Sequence, residues 1–561
     1  MEKRVIAAIV LSIGILFAFR YYEERYLARQ AGPPAARPAA VTPPPKSSPA
    51  AASPQTKAAE APPIPLPTEE IVPARQVVVE SALYRAVLDN RGGVLTSFQL
   101  KDYKTAGEVF DMVPAAHMEE RPYPGSLSFD DQALTALANQ QNYVVETDPQ
   151  TNRPVLAAPA TVVMRLRRGD VLIEKKFSFE AANYVVNMAS TLARAQQPLR
   201  GRLLLGQDIG PETEHLLNPS LQLTTAANLG GKIQRDSAPK DENEVRSVSG
   251  DVRWIGLDMQ YFALVAVPGQ ALGAFEMQRI PVKGRDLKGQ EISRDLLRIT
   301  LPMDGSGSFK VYLGPKSQAH LAAVPGDNVA AVIDYGTYLG VIVKPLLIAL
   351  RYLNRFTHNY GWAIILLTFG LTFILLPFRL KQIVSMKKMQ VLQPKIKEIQ
   401  ERYKRYKKTD PKRAEMNQEV MAVYKEHKVN PLGGCMPLLL QMPFLFAFYR
   451  LLSVAIELRQ APFISWLQDL SAKDPYYVLP IVMGITMLIS QKMTPMSPGA
   501  DPSQARMMMI MSVVMTVFFL NVSSGLNLYF LCSNVFQIAF QKVAERWIGD
   551  KQPAPRAKNR G

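Results

Sequence analysis

The sequence predicts a membrane α-helical bundle of six transmembrane helices carrying an all-β sandwich domain on the outer side of the bilayer. Three observations predict it. Five apolar stretches in the last third of the chain (360–378, 437–455, 477–491, 508–522 and 526–541) approach the roughly 17–25 residues a span needs, two of them on the short side. A further apolar run, 5–19, stands behind Lys3 and Arg4 at the N-terminus. Between these regions, from about 76 to 315, the pattern is that of many short strands.

The N-terminal run has the charged and apolar parts of a secretory signal, but Phe17-Ala18-Phe19-Arg20 offers no small-x-small cleavage site. An uncleaved signal anchor over 1–29, N-terminus inside, is the better reading. Residues 30–75 are rich in Pro and Ala, as in Pro43-Pro44-Pro45 and Pro62-Pro63, and lack the apolar side chains to fold. They read as an extended tether. In 76–325, Tyr84-Arg85-Ala86-Val87-Leu88 and Val162-Val163-Met164-Arg165-Leu166 largely alternate, separated by turns such as Asn90-Arg91-Gly92-Gly93. Few helices and many strands point to a sandwich. Residues 326–359 hold an apolar run that Lys344 and Arg351 bracket too closely for a span. An amphipathic helix in the outer membrane interface fits it.

Charge fixes the orientation. The formal net charge is +17, and residues 379–428 carry 15 basic against 6 acidic residues. Arg546, Lys551, Arg556, Lys558 and Arg560 crowd the tail, 546–561. Positive loops stay in the cytoplasm, so six spans close with both termini inside and the β-domain in the periplasm. The same patches suit anionic lipid headgroups or ribosomal RNA. The basic stretch reads as a helical hairpin over 379–430. Met386, Met389, Leu392, Ile396 and Ile399 line one arm; Met416, Val420 and Tyr424 line the other. Thr409-Asp410-Pro411 marks the bend, with Asp410 as a helix cap. The methionine stripe either meets varied apolar clients or packs the two arms on each other or on the membrane.

The two cysteines, Cys435 and Cys532, lie at or within spans, and the five histidines are scattered. Neither a disulfide scaffold nor a metal site is implied, and no phosphate-binding glycine loop occurs. Polar residues do lie inside the spans: Thr368, Thr372, Gln441, Thr486, Asn521, Asn527, Asn534 and Gln537. An unpartnered amide facing lipid costs a few kcal/mol (about 2–7), so these should face the bundle interior. Asn527, Asn534 and Gln541 recur every seven residues, a polar stripe along one helix face. The stripe is either interhelical glue or the lining of a hydrated cavity.

Particular stretches resemble the YidC-type membrane protein insertases (the YidC/Oxa/Alb family), in the Gram-negative form with a large periplasmic domain. Val429-Asn430-Pro431-Leu432-Gly433-Gly434-Cys435-Met436-Pro437 is similar to the start of that family's third span. Asp474-Pro475-Tyr476-Tyr477 resembles its outer loop, and Ser524-Gly525-Leu526-Asn527-Leu528-Tyr529 its last span. Met386, Met389 and Leu392-Gln393-Pro394-Lys395-Ile396 match the start of its cytoplasmic hairpin. The resemblance is close from about 330 to 545 and marks 360–545 as the insertase core.

It implies a non-enzymatic chaperone of the bacterial inner membrane that inserts proteins, with and without Sec assistance, and needs no cofactor, metal or DNA. A polar groove open to cytoplasm and lipid would receive the client. Thr368, Thr372, Gln441, Arg450, Asn521, Asn527, Tyr529, Asn534 and Gln537 are the candidate lining. Met386, Met389, Lys404, Arg405, Lys407 and Lys408 are the candidate contacts of the hairpin with clients or ribosome. The implied partners are nascent membrane proteins, the Sec translocon, the ribosome and anionic lipids. One departure stands out. Many family members carry an arginine where this chain has Thr372, and a second tyrosine where it has Phe530. Arg450 in the third span could supply the missing charge, or it could snorkel outward or pair with Glu457. The competing class is a small-solute transporter, against which stand the lack of span repeats and of paired intramembrane carboxylates.

Overall fold

The computed structural model describes residues 72–113, 122–147, 155–211, 223–237, 239, 241, 244–285, 291–406, 410–427, 436–493 and 502–549. The expected signal anchor, the tether up to 71 and the tail beyond 549 lie outside the described residues.

Alternating sequence builds two sheets. Among the described residues the smaller has five strands and the larger fourteen. Strand Gln76–Glu80 runs antiparallel to Tyr84–Asp89 and parallel to Val155–Ala157. Strand Val171–Phe179 shows how the two-residue period sorts side chains: 171, 173, 175, 177 and 179 are buried, and the residues between them are not. The sheets meet over an aromatic core. Tyr84 stacks on Phe98 at 4.5 Å within the smaller sheet, and Phe110 stacks on Phe262 of the larger at 3.9 Å. Each such side chain, fully buried, contributes about 1.5–3 kcal/mol. The β-sandwich expectation is met.

Nine α-helices occur among the described residues: α1 (Gln132–Gln140), α2 (Gln318–Ala322), α3 (Gly340–Thr357), α4 (Tyr360–Arg402), α5 (Lys412–Glu426), α6 (Met436–Val454), α7 (Val478–Met493), α8 (Pro502–Phe519) and α9 (Ser524–Gly549). Helix α3 buries Val343, Leu346, Leu347 and Leu350 on the bundle while Val341, Ile348, Tyr352 and Phe356 stay exposed. The exposed side also carries Lys344 and Arg355, so it mixes apolar and basic side chains. His358 ends α3 in a left-handed conformation, and Asn359 caps α4 by accepting from the N–H groups of Gly361 and Trp362.

Helix α4 spans 43 residues, roughly 65 Å at 1.5 Å per residue. It runs without a break from the first apolar stretch into the basic hairpin, through Pro377 and Pro394. Helix α5 returns along it after Asp410, whose carboxylate accepts from the Lys412 N–H at 3.0 Å. Met389, Leu392, Ile396 and Tyr424 form the hairpin's own small core.

Among the described residues one helical stretch, Tyr360–Met389, is long and apolar enough to cross a bilayer by itself. Met442–Val454, Val478–Met493 and Met509–Phe519 are shorter apolar helices, so the six expected spans are not all displayed as such. Yet the bundle is apolar on its outside as well as in its core. Phe373, Ile374 and Phe378 on α4, Ile481 and Ile485 on α7, and Val513, Val517 and Phe518 on α8 all point outward. Contiguous apolar exposure on this scale marks a surface made for lipid. Where α7 and α8 cross, a side chain on Gly484 would collide with Thr516, the close approach that small residues permit in membrane bundles.

Candidate functional site: the polar interior of the helical bundle

The polar residues singled out from sequence reach three different environments. Thr368 and Thr372 are buried on α4, and their hydroxyls donate at 2.7 Å to the carbonyls of Ile364 and Thr368, four residues back. Such bonds satisfy a hydroxyl inside its own helix. Asn527 is fully buried. Its Nδ2 donates to the Phe519 carbonyl at 3.1 Å and the Val522 carbonyl at 3.2 Å, closing the α8–α9 turn. Its Oδ1 is buried and accepts nothing. Seven residues along the same face, Asn534 has a buried Nδ2 that donates nothing. Gln541 completes the row by donating to the Met493 carbonyl at 3.0 Å. The row thus contains one buried acceptor and one buried donor without a protein partner.

Tyr529 is buried and stacks face to face on Phe448 of α6, centroids 4.0 Å apart. Arg379 of α4 is half-buried and interacts electrostatically with Tyr529. Gln537 is half-buried, while Asn521 is exposed beyond the end of α8. The side chain of Gln441 lies outside the described residues. On the hairpin, Met389 is 2% exposed and belongs to the core between the arms, so it does not present itself to a client. Among the described residues the exposed large apolar side chains there are Val384, Val391 and Met421. Lys404 and Arg405 are exposed at the end of α4; Lys407, Lys408 and the side chain of Met386 lie outside the described residues.

Arg450 pairs neither with the polar row nor with Glu457. Helix α6 ends at Val454, one turn further on, so Arg450 stands at the rim beside the β-domain. Its guanidinium forms an ion pair with Asp334, in the segment before α3, and its Nε donates to the Asp334 carbonyl at 3.1 Å. Glu457 is taken instead by Arg351 of α3. An unpaired cation at that depth would be costly, and the nearest fixed carboxylate captures it. Burial opposes ionisation of Asp334, but Arg450 and Arg235, with the Gly336 N–H, outweigh it and hold its carboxyl below the usual range.

Two further features escaped the sequence. Arg459, in the loop after α6, sits over Phe110, Tyr261 and Phe262 at 5.4, 5.5 and 5.1 Å from their ring centroids. It also donates to Thr105 Oγ1 at 2.9 Å, tying the bundle's outer loop to the sandwich. Lys175 is buried by the strand period. Its Nζ donates to the carbonyls of Gly92 at 2.6 Å and Gly125 at 2.7 Å, and burial pushes its pKa down to about 7. Among the described residues no group of three or more His, Cys, Asp or Glu could hold a metal ion.

Two protein families match the chain: the YidC periplasmic domain over residues 76–349 and the 60Kd inner membrane protein over 352–551. The chain is similar to the membrane protein insertase YidC of Syntrophus aciditrophicus, 33% identical over 570 residues, covering 96% of this chain and 99% of that one. It is similar to the protein of that name from Geobacter sp. strain M21, at 35% over 562 residues, covering 98% and 100%. With Geotalea daltonii's it shares 34% over 552 residues, covering 96% and 98%. The polar row inside an apolar-clad bundle, the β-sandwich before it and these near full-length likenesses agree: the chain belongs to the YidC family of membrane protein insertases.

Proposed function

We propose that this chain inserts integral membrane proteins and helps them fold, both alone and beside the Sec translocon. In this reading six spans cross the inner membrane, both termini are cytoplasmic, and the β-domain lies in the periplasm. The observation that carries the reading is a bundle clad in apolar side chains that also keeps polar groups in its interior. Its outside is apolar, while Asn527 and Asn534 on α9 keep buried amide atoms without hydrogen bonds.

The chemistry is physical rather than catalytic. Moving a peptide-like amide from water into hydrocarbon with no partner costs roughly 4–8 kcal/mol. A client's hydrophilic segment that enters beside the α9 row meets amide groups instead, so much of that cost is removed. Arg379, which interacts with Tyr529 of α9, supplies a positive charge where the dielectric is low and attraction is strong. The client's apolar segment partitions along the outward faces of α4, α7 and α8 into lipid. Each Leu-sized side chain so buried contributes about 1.5–3 kcal/mol toward release. The basic hairpin, with Lys404 and Arg405 exposed, would engage the ribosome and anionic headgroups. Nothing favours the transporter reading: the named relatives are insertases.

The test is reconstitution of the full chain in liposomes, with protease-protected insertion of a small client bearing a short acidic translocated tail. Release of an entrapped solute is followed in parallel. Insertion above protein-free liposomes, without solute release, is the expected result. Solute flux without insertion would overturn the proposal in favour of a transporter.

A further inference from the structure

Arg450 is the last member of a line of charges that starts deep in the β-domain. Lys316 Nζ lies 2.7 Å from Asp258 Oδ1, and both side chains are buried. Asp258 Oδ2 is 3.5 Å from Arg235 Nη1, and Arg235 Nε is 4.0 Å from Asp334 Oδ2. Asp334 then pairs with Arg450 on α6. Arg235 also donates to the carbonyls of Ala331 and Val332, at 2.8 and 3.2 Å, fixing the segment that holds Asp334. Cations and anions alternate along the whole line, so every contact in it is attractive.

The line ends on a helix with a second duty. Phe448, two residues before Arg450, stacks on Tyr529 of α9. Residues two apart on an α-helix point roughly 200° apart, so α6 is held on opposite sides by Tyr529 of α9 and by the β-domain. Just beyond, Val454 and Ile456 are buried in the sandwich core. We propose that the charge line Lys316–Asp258–Arg235–Asp334–Arg450 is a strut through which the β-domain positions α6 against α9 for insertion. Arg450 is thus a positioning residue and does not meet the client. This rests on the insertase reading, which it deepens by giving the β-domain a mechanical role in the bundle.

The test compares wild type, Arg450→Met, Asp334→Asn, the double variant and Arg450→Lys, as full chains in liposomes and in detergent. Clients with acidic and with uncharged translocated tails are inserted side by side. Both single variants should lower insertion by about three- to ten-fold, the scale of an energetic coupling between sites. The loss should be the same for both tails, the double variant no worse than either single one, and Arg450→Lys intermediate. Melting temperatures in detergent should show the same non-additivity, which tests the strut even if wild type inserted nothing. Three results would overturn it: additive losses, loss with Arg450→Met but none with Asp334→Asn, or loss confined to acidic tails. The last would make Arg450 a cation that meets the client.

Discussion

Asn527 and Thr372 carry similar polar groups in the same bundle, yet they answer to different constraints. Replacing Asn527 by Leu strands the Val522 carbonyl and removes one of the two donors to the Phe519 carbonyl, so melting in detergent should reveal a loss of about 1–3 kcal/mol. Thr372→Val removes a bond that α4 makes to itself, and less than about 1 kcal/mol should follow. Lys175 makes a prediction in pH. Its folded-state pKa, about 7, lies below the roughly 10.4 of an unfolded lysine, so the unfolded chain binds more protons between these values. The penalty is full below about 7 and fades as pH rises toward 10. The melting temperature of wild type should therefore climb relative to Lys175→Met from pH 7 to 10, and a constant difference would contradict the assignment. The inward lysine was legible in principle, since Val171, Ile173, Phe177 and Phe179 alternate around it. The partner of Arg450 was not, because Asp334 is 116 residues away and no local period encodes it.

The elements follow their periodicity where the period is local. The seven-residue recurrence on α9 became one face of one helix, and the hairpin stripe at three and four became a helix–helix core. What periodicity could not decide was which partner that stripe meets. The arms meet each other, so Met389→Asp should open the hairpin to protease. Val391→Asp, at an exposed position, should leave it intact and weaken client contact alone. Proline did not break α4: Pro377 and Pro394 leave the span and the hairpin arm one rod, and the sequence read them as two elements. Between α7 and α8, Gly484→Leu should drive the helices apart and lower the melting temperature markedly, since the new side chain meets Thr516.

Across the molecule, the β-domain and the bundle share side chains at several points: Arg450 on Asp334, Arg459 over three aromatic rings, and Ile456 in the sandwich core. Sequence alone separated the two by composition and identified the β-sandwich and the helical region, while the six spans are not all displayed, and it treated the β-domain as an appendage. The central claim is that the inward face of α9 is wet and its outward neighbour is not. It is tested most directly by placing single cysteines at Asn534 and at Val535 in a Cys435→Ser/Cys532→Ser chain. A membrane-impermeant maleimide is then added from the cytoplasmic side. Asn534 contributes the buried orphan amide and Val535 is exposed on the apolar outside. The cysteine at 534 should be modified and that at 535 should not. Modification at 535, or at neither position, would contradict a hydrated interior open to the cytoplasm.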